Sequence, residues 1–197
     1  MNNRLEYRKE YKFVFNSLQA KNFINHLSNQ LTNLYPQRKI KSLYFDTTDF
    51  LLFKNSEIND INKEKVRIRQ YNNSGPFYQE VKFNYPNGKG KKVEKLSISN
   101  FNEVNKIKFK KLILYPAAYI SYLRNYYLYN GSKLTIDYSI EFFSHDHRRI
   151  HPLNLKNKNT IFELKLEKKD SEIEKLFIHP PVAFSKYNTA IKTLYNI

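Results

Sequence analysis

Apolar and polar residues alternate with a period of two in several stretches of the chain. In Lys65-Val66-Arg67-Ile68-Arg69 every second residue is basic. Alternate side chains of a strand share a face, so Lys65, Arg67 and Arg69 line one side while Val66 and Ile68 pack on the other. The stretches Arg8-Lys9-Glu10-Tyr11-Lys12 and Glu80-Val81-Lys82 repeat the pattern. The alternation predicts strands over 5–15, 40–45, 65–71, 77–84, 91–96, 119–129, 133–142 and 160–167. Asn72-Asn73-Ser74-Gly75-Pro76 and Asn130-Gly131 read as hairpin turns, and Pro86-Asn87-Gly88-Lys89-Gly90 as another turn. Ile24, Leu27, Leu31 and Leu34 follow helical spacing after a cap at Asn16 or Ser17, which predicts a helix ended by Pro36. Shorter helices are expected over 100–109, from Asp170 or Ser171 to Phe177, and over 185–195 with Tyr187, Ile191 and Leu194 inward. With no linker, internal repeat or low-complexity tract, one α+β domain spanning residues 1–197 is expected.

Composition sharpens this picture. The chain of 197 residues carries 34 Lys+Arg against 18 Asp+Glu, a net charge of +16, which calls for a polyanionic partner. Sixteen Tyr and fifteen Phe favour β-structure. Absence of Cys excludes disulfides, thiol nucleophiles and Cys-based zinc sites. The N-terminus has no apolar signal region and no apolar run has the length of a membrane span, so a cytoplasmic protein without a membrane segment is expected.

Sorting each strand by parity gathers the charge. Arg8, Glu10 and Lys12 share a face, as do Lys65, Arg67 and Arg69; Glu80 goes with Lys82, Tyr122 with Arg124, Lys133 with Asp137, and Glu163 with Lys165 and Glu167. The opposite faces carry Tyr11, Phe13, Val66, Ile68, Val81, Phe83, Leu134, Ile136, Phe162, Leu164 and Leu166, which supply the core. For any one strand a solvated outer face explains such a row. Against that stand the abundance of Arg, whose fork grips phosphate in a bidentate way, and the recurrence of carboxylates among the cations. Those carboxylates would repel a bare phosphate chain unless a divalent metal bridges the two. A closed barrel would turn these faces into a charged lumen.

The ordered set of these segments resembles the triphosphate tunnel metalloenzymes (CYTH-like superfamily), and more closely the VTC-type polyphosphate polymerase branch. The resemblance rests on Arg8-Lys9-Glu10-Tyr11-Lys12, Ser42-Leu43-Tyr44-Phe45-Asp46-Thr47, Lys65-Val66-Arg67-Ile68-Arg69, Glu80-Val81-Lys82, Tyr122-Leu123-Arg124, Leu134-Thr135-Ile136-Asp137, Phe162-Glu163-Leu164-Lys165 and Ser185-Lys186-Tyr187. It implies an antiparallel eight-stranded β-barrel with flanking helices, enclosing a tunnel. There the γ-phosphoryl of ATP passes to a growing polyphosphate chain with the help of a divalent metal, Mn2+ or Mg2+. By resemblance, Arg67, Arg69 and Lys82 form the central triphosphate clamp. Arg124, Lys165 and Lys186 join it as catalytic candidates, Lys186 near the tunnel end. Arg8, Lys12, Lys65, Lys92 (or neighbouring Lys91), Tyr122 and Lys133 are phosphate-binding candidates. Glu163 matches the metal-holding carboxylate, with Glu10 and Glu80 as assistants. Lys133 stands where the family usually carries Arg, which keeps the charge and loses the fork. The regulatory and membrane segments of eukaryotic members are absent, which implies a stand-alone catalytic domain with ATP and inorganic polyphosphate as partners.

Other readings stay beside this one. A triphosphatase or polyphosphatase, or a non-catalytic polyphosphate-binding module, would use the same residues. A nucleic-acid-binding barrel would need aromatics on the same face as the cations, whereas Tyr11, Phe13, Phe83 and Phe162 fall on the other, so no nucleic-acid partner is expected. His145, His147 and His151 around Asp146 read as a solvated loop, and Asp46 and Asp49 as turn caps. No Walker-type loop, G-x-S-x-G elbow or kinase signature is present.

Overall fold

The computed structural model describes residues 9–58, 62–86, 88–144, 154–166 and 180–197. The elements are β1 (Lys9–Phe15), α1 (Ser17–Leu27), β2 (Leu31–Asp46), α2 (Leu51–Ile58), β3 (Lys63–Tyr71), β4 (Phe77–Tyr85) and β5 (Gly88–Leu96), then β6 (Ile107–Phe109), β7 (Leu112–Tyr129), β8 (Ser132–Ser144), β9 (Asn154–Asn157), β10 (Thr160–Leu166) and α3 (Lys186–Tyr195). The strands form one antiparallel sheet in the order β1-β10-β8-β7-β2-β3-β4-β5, with β6 on β7 and β9 on β8. This is the expected α+β, mostly antiparallel architecture.

The sheet rolls up. Along the ladder β4 and β10 are separated by four strands, yet Lys82 of β4 lies within the field of Glu163 and Lys165 of β10 and of Glu10 of β1. Only a strongly curved sheet brings those side chains together, and its polar face is the inner one. Among the described residues no ladder joins β1 to β5, so the eight strands on the path form an open roll rather than the hydrogen-bonded closed barrel that was expected. The β5 edge carries exposed Lys91, Lys92 and Lys95, charges that discourage pairing with a further strand.

Two apolar layers cover the outer face. One gathers Phe13, Phe15, Phe162, Leu164, Leu134 and Ile136 beneath Ala20 and Leu27 of α1. The other gathers Val66, Ile68, Leu43, Phe45 and Phe77 against Leu52 of α2 and Ile107 of β6. Val66 and Ile68 are fully buried there, as their parity predicts, and Val81 packs against the same layer. A third cluster lies at one end of the inner face. Tyr187, Ala190, Ile191 and Leu194 of α3 pack on Ile40, Tyr44, Ala118, Ile120 and Tyr122, so α3 covers that end of the roll.

The Asn130-Gly131 hairpin forms as expected, whereas Gly88, Lys89 and Gly90, expected in a turn, already lie in β5. Asn130 and Gly131 both have positive φ, 45° and 76°, the conformation a two-residue turn needs between twisted strands, and Tyr129 pairs with Ser132 across it. Helix ends were read less well. Asn16 caps α1 reciprocally with Gln19, but the helix stops at Leu27, and Leu31 and Leu34 lie in β2. Pairing with the 18-residue β7 overrides the helical spacing, and Pro36 is accommodated where the β2–β7 register shifts between Tyr35 and Arg38. The helix expected over 100–109 reduces to one 3-10 turn, Phe101–Glu103, followed by β6. The helix expected from Asp170 or Ser171 to Phe177 falls outside the described residues, as do His145, Asp146, His147, His151 and Glu167.

Asp46 ties three elements together. Its buried carboxylate accepts hydrogen bonds from the backbone N–H groups of Thr47, Leu52 and Phe53 at 2.8, 2.8 and 2.9 Å, capping α2, and from the Tyr187 hydroxyl of α3 at 2.5 Å. Asp46→Ala leaves several buried donors unmatched and should cost on the order of 2–4 kcal/mol of stability in urea unfolding. An unchanged unfolding midpoint would show that α2 and α3 dock without it.

Candidate functional site

The inner face is built by β-pairing. Partners in an antiparallel ladder share a face, so the Arg67–Glu80, Lys65–Lys82 and Arg69–Tyr78 pairs put β3 and β4 side chains together. On the other flank Glu10 pairs with Lys165, Lys12 with Glu163, Glu163 with Thr135, and Arg124 with Asp137.

Three buried carboxylates organise the cations. Glu80, 1% exposed, accepts from Arg67 Nε and Nη2 at 2.7 and 2.5 Å, with Lys91 Nζ at 3.3 Å and Arg69 Nη1 at 3.6 Å. Burial alone would raise its pKa, but Arg67, Arg69 and Lys91 hold it at about 2. Asp137, 0% exposed, takes a bidentate contact from Arg124 at 2.5 and 2.7 Å and an ion pair from Lys186 at 2.5 Å. Against the upward push of burial, those two cations keep its carboxyl below the usual range. Glu163 pairs with Lys165 at 3.2 Å, and Lys165 also reaches Glu10 at 3.8 Å. Burial works against ionisation of Glu163, and Lys165, Arg124, Lys82 and Lys12 outweigh it.

Tyrosines bind the cations to one another. Arg67 donates to the Tyr44 hydroxyl at 2.6 Å, and Arg69 to Ser42 and Tyr122 at 3.2 Å each. The Tyr122 ring lies 5.4 Å from the Arg124 guanidinium and 4.8 Å from the Lys186 ammonium. The segment before α3 closes over the other flank: Lys12 donates to the Phe184 carbonyl at 2.8 Å and Lys65 to Ser185 Oγ at 2.7 Å.

Each candidate therefore has a location. Arg67, Arg69, Lys82, Arg124, Lys165, Lys186, Lys12, Lys65, Glu10, Glu163 and Tyr122 meet on the inner face. Lys133 shares it as the ladder partner of Lys165, at an exposed position. Arg8 lies outside the described residues. Lys92 is displaced: it pairs with Val81, whose side chain faces the outer layer, whereas Lys91 pairs with Lys82 and reaches Glu80. Glu80 is engaged by two Arg and a Lys, which fits a positioning carboxylate rather than the metal assistant expected of it. No trio of acidic or His side chains with metal-binding spacing occurs among the described residues.

Asp137, Tyr44 and Ser42 lie within the family-like segments and act here as partners of the cations. Asp137 was legible as a lone acid on a basic face; Tyr44 and Ser42 become partners only through the β2–β3 register. The aromatics divide between the two faces, so the cation face is not free of them. Phe13 and Phe162 do lie in the outer layer, with Tyr11 packed against it, but Tyr44, Tyr71, Tyr78, Tyr122 and Tyr126 share the face of the cations.

Unbalanced charge remains. Among the described residues Lys82 has no hydrogen-bonding or ion-pair partner. Its side chain is exposed, yet desolvation by the protein around it and then Arg67 push its pKa down to about 7. Burial also takes Lys65 to about 8, with Lys12, Lys82 and Lys63 adding to the depression. Between these values and the ordinary Lys value of about 10.4 the unfolded chain holds protons that the folded one lacks, so stability rises with pH there. The melting temperature should climb from pH 7 to pH 10, and Lys82→Met should flatten the climb. A melting temperature that falls over this range would contradict the crowding of cations.

The VTC domain family matches residues 7–107 and 91–195, nearly the whole chain. No curated protein sequence matches it. Among solved structures, a Bacillus halodurans protein described as a “putative adenylate cyclase” superposes with a TM-score of 0.60 at 18% identity, over 93% of this chain and 97% of that one. The PH1819 protein of Pyrococcus horikoshii gives 0.58 at 12% identity, over 95% and 99%. A Hippeastrum “putative adenylyl cyclase” reported to have a dominant triphosphatase activity gives 0.52 at 14% identity, over 95% and 96%. At these identities the likeness is one of fold. No helix among the described residues is long and apolar enough to cross a membrane. The chain belongs to the VTC domain family.

Proposed function

We propose that this protein is a metal-dependent polyphosphate polymerase that transfers the γ-phosphoryl of ATP to a polyphosphate chain along the inner face of the roll. The observation that carries the reading is an inner face on which Arg and Lys outnumber the carboxylates that organise them, leaving the exposed Lys82 without an ion-pair partner among the described residues. A chain of phosphates supplies the missing negative charge at regular intervals.

In this reading Arg67 and Arg69, fixed by Glu80, Tyr44 and Ser42, grip the triphosphate with pre-oriented forks. Arg124 and Lys186, held by Asp137, neutralise charge that spreads over the transferred phosphoryl oxygens. A terminal oxygen of the acceptor chain attacks the γ-phosphorus; the bond from that phosphorus to the β–γ bridging oxygen breaks and ADP leaves. Glu163 and Glu10 are the residues that would hold a divalent metal. They approach a common cation, Lys165, and one or two carboxylates plus substrate phosphates is how Mg2+ and similar ions are usually held. Such an ion supplies further neutralisation of the phosphate oxygens.

Hydrolysis is the second reading, favoured by the fold shared with a protein of reported triphosphatase activity. It differs only in the attacking oxygen, water instead of phosphate. Incubation with ATP and Mn2+ separates the two: polyphosphate on a stained gel is the expected result, and release of inorganic phosphate alone supports the hydrolase. Glu163→Gln should abolish metal-dependent turnover while metal-free tripolyphosphate binding persists, and undiminished turnover would refute its role. Replacing both Arg67 and Arg69 by Ala should weaken tripolyphosphate binding by about 1.5–3 kcal/mol per lost charged hydrogen bond, read by calorimetric titration.

A further inference from the structure

Away from α3, the inner face changes chemistry. Four residues along β3 from Arg67, about 13 Å at the usual strand rise, stands Tyr71, and the basic row gives way to a collar of tyrosines around Arg38. The Arg38 guanidinium lies 5.2 Å from the Tyr35 ring, 5.6 Å from Tyr126 and 6.0 Å from Tyr71. Tyr35 and Tyr126 meet edge to face at 5.6 Å. The collar is continuous with the phosphate-facing cations: Arg69 lies 5.7 Å from Tyr71, and Arg124 lies 5.9 Å from Tyr126.

Two features show that the collar is unfinished as protein structure. Arg38 stands directly opposite Arg124 in the β2–β7 ladder, a like-charge pair that is unfavourable by itself. Asp137 answers Arg124, but among the described residues no carboxylate pairs with Arg38. Tyr35 is 52% exposed, so the collar presents ring surface to solvent. The β2–β7 register shifts on both sides of Tyr35, and such irregularities re-aim side chains.

We infer that this collar is a nucleobase subsite: it takes the base of a nucleoside triphosphate whose phosphates lie on Arg69 and Arg124, with Arg38 facing the phosphate nearest the ribose. The inference rests on the phosphate-binding reading above and deepens it by giving the base of the nucleotide donor a place. A phosphate chain alone gives no reason for tyrosines here, because ring faces carry negative potential and repel anions. A base offers a π-face for the exposed Tyr35 ring, and stacking of this kind tolerates any base. Adenine and guanine nucleotides should therefore both bind.

The test is calorimetric titration of the full chain without divalent metal, using ATP and inorganic tripolyphosphate. Tyr35→Ala and Tyr126→Ala should each weaken ATP about tenfold while tripolyphosphate changes by less than about twofold, in line with the loss of one stacking partner. Tyr35→Phe, which keeps the ring, should retain ATP affinity. Equal weakening of both ligands by the Tyr→Ala variants, or of neither, overturns the subsite and leaves the phosphate reading standing. Failure of the unaltered protein to bind either ligand removes both. Displacement of ATP by a single-stranded oligonucleotide at equal phosphate concentration overturns the nucleotide assignment in favour of a nucleic-acid strand.

Discussion

The structure turns on one electrostatic constraint: cations crowded on a buried face must be held apart and answered by charge. A buried ion without a partner is costly, so each cluster needs a carboxylate at its centre. Glu80 serves Arg67, Arg69 and Lys91; Asp137 serves Arg124 and Lys186; Glu163 serves Lys165. The three anchors sit on β4, β8 and β10, so the rolled sheet is also what distributes them around the hollow. What they leave over, chiefly the charge of Lys82, is the part that an anionic ligand completes.

The same constraint explains how α3 is mounted. Its first residue, Lys186, is drawn inward by Asp137, its cap Ser185 accepts from Lys65, and Tyr187 donates to Asp46. Apolar packing of Ala190, Ile191 and Leu194 on β7 and β8 supplies the rest of the docking. Fold stability and site geometry therefore share residues at this end. The opposite end, around Arg38, has aromatic rings where this one has carboxylates.

Strand parity was legible in the sequence because β-pairing preserves it. Val66 and Ile68 had to face one way once Arg67 and Arg69 faced the other, and the inner face follows from that rule alone. The family likeness added the order of the segments. Two things were not legible, and a third is easily overlooked. The turn where α1 becomes β2 depends on pairing of Leu31 with Tyr129 of β7, 98 residues further along the chain. The choice of Lys91 over Lys92 depends on the β4–β5 register, which two adjacent lysines leave open. The tyrosines of the inner face stand beside the core aromatics in the chain and are overshadowed by them, although parity alone puts Tyr71 with Arg69, Tyr78 with Glu80 and Tyr126 with Arg124.

The most direct test of the account is a crystal structure with tripolyphosphate bound. The account predicts a linear chain on the inner face, in contact with Arg67, Arg69 and Lys82, with Glu80 and Asp137 still holding their arginines. A chain bound along the exposed lysines of β5, with the inner face unchanged, would contradict it.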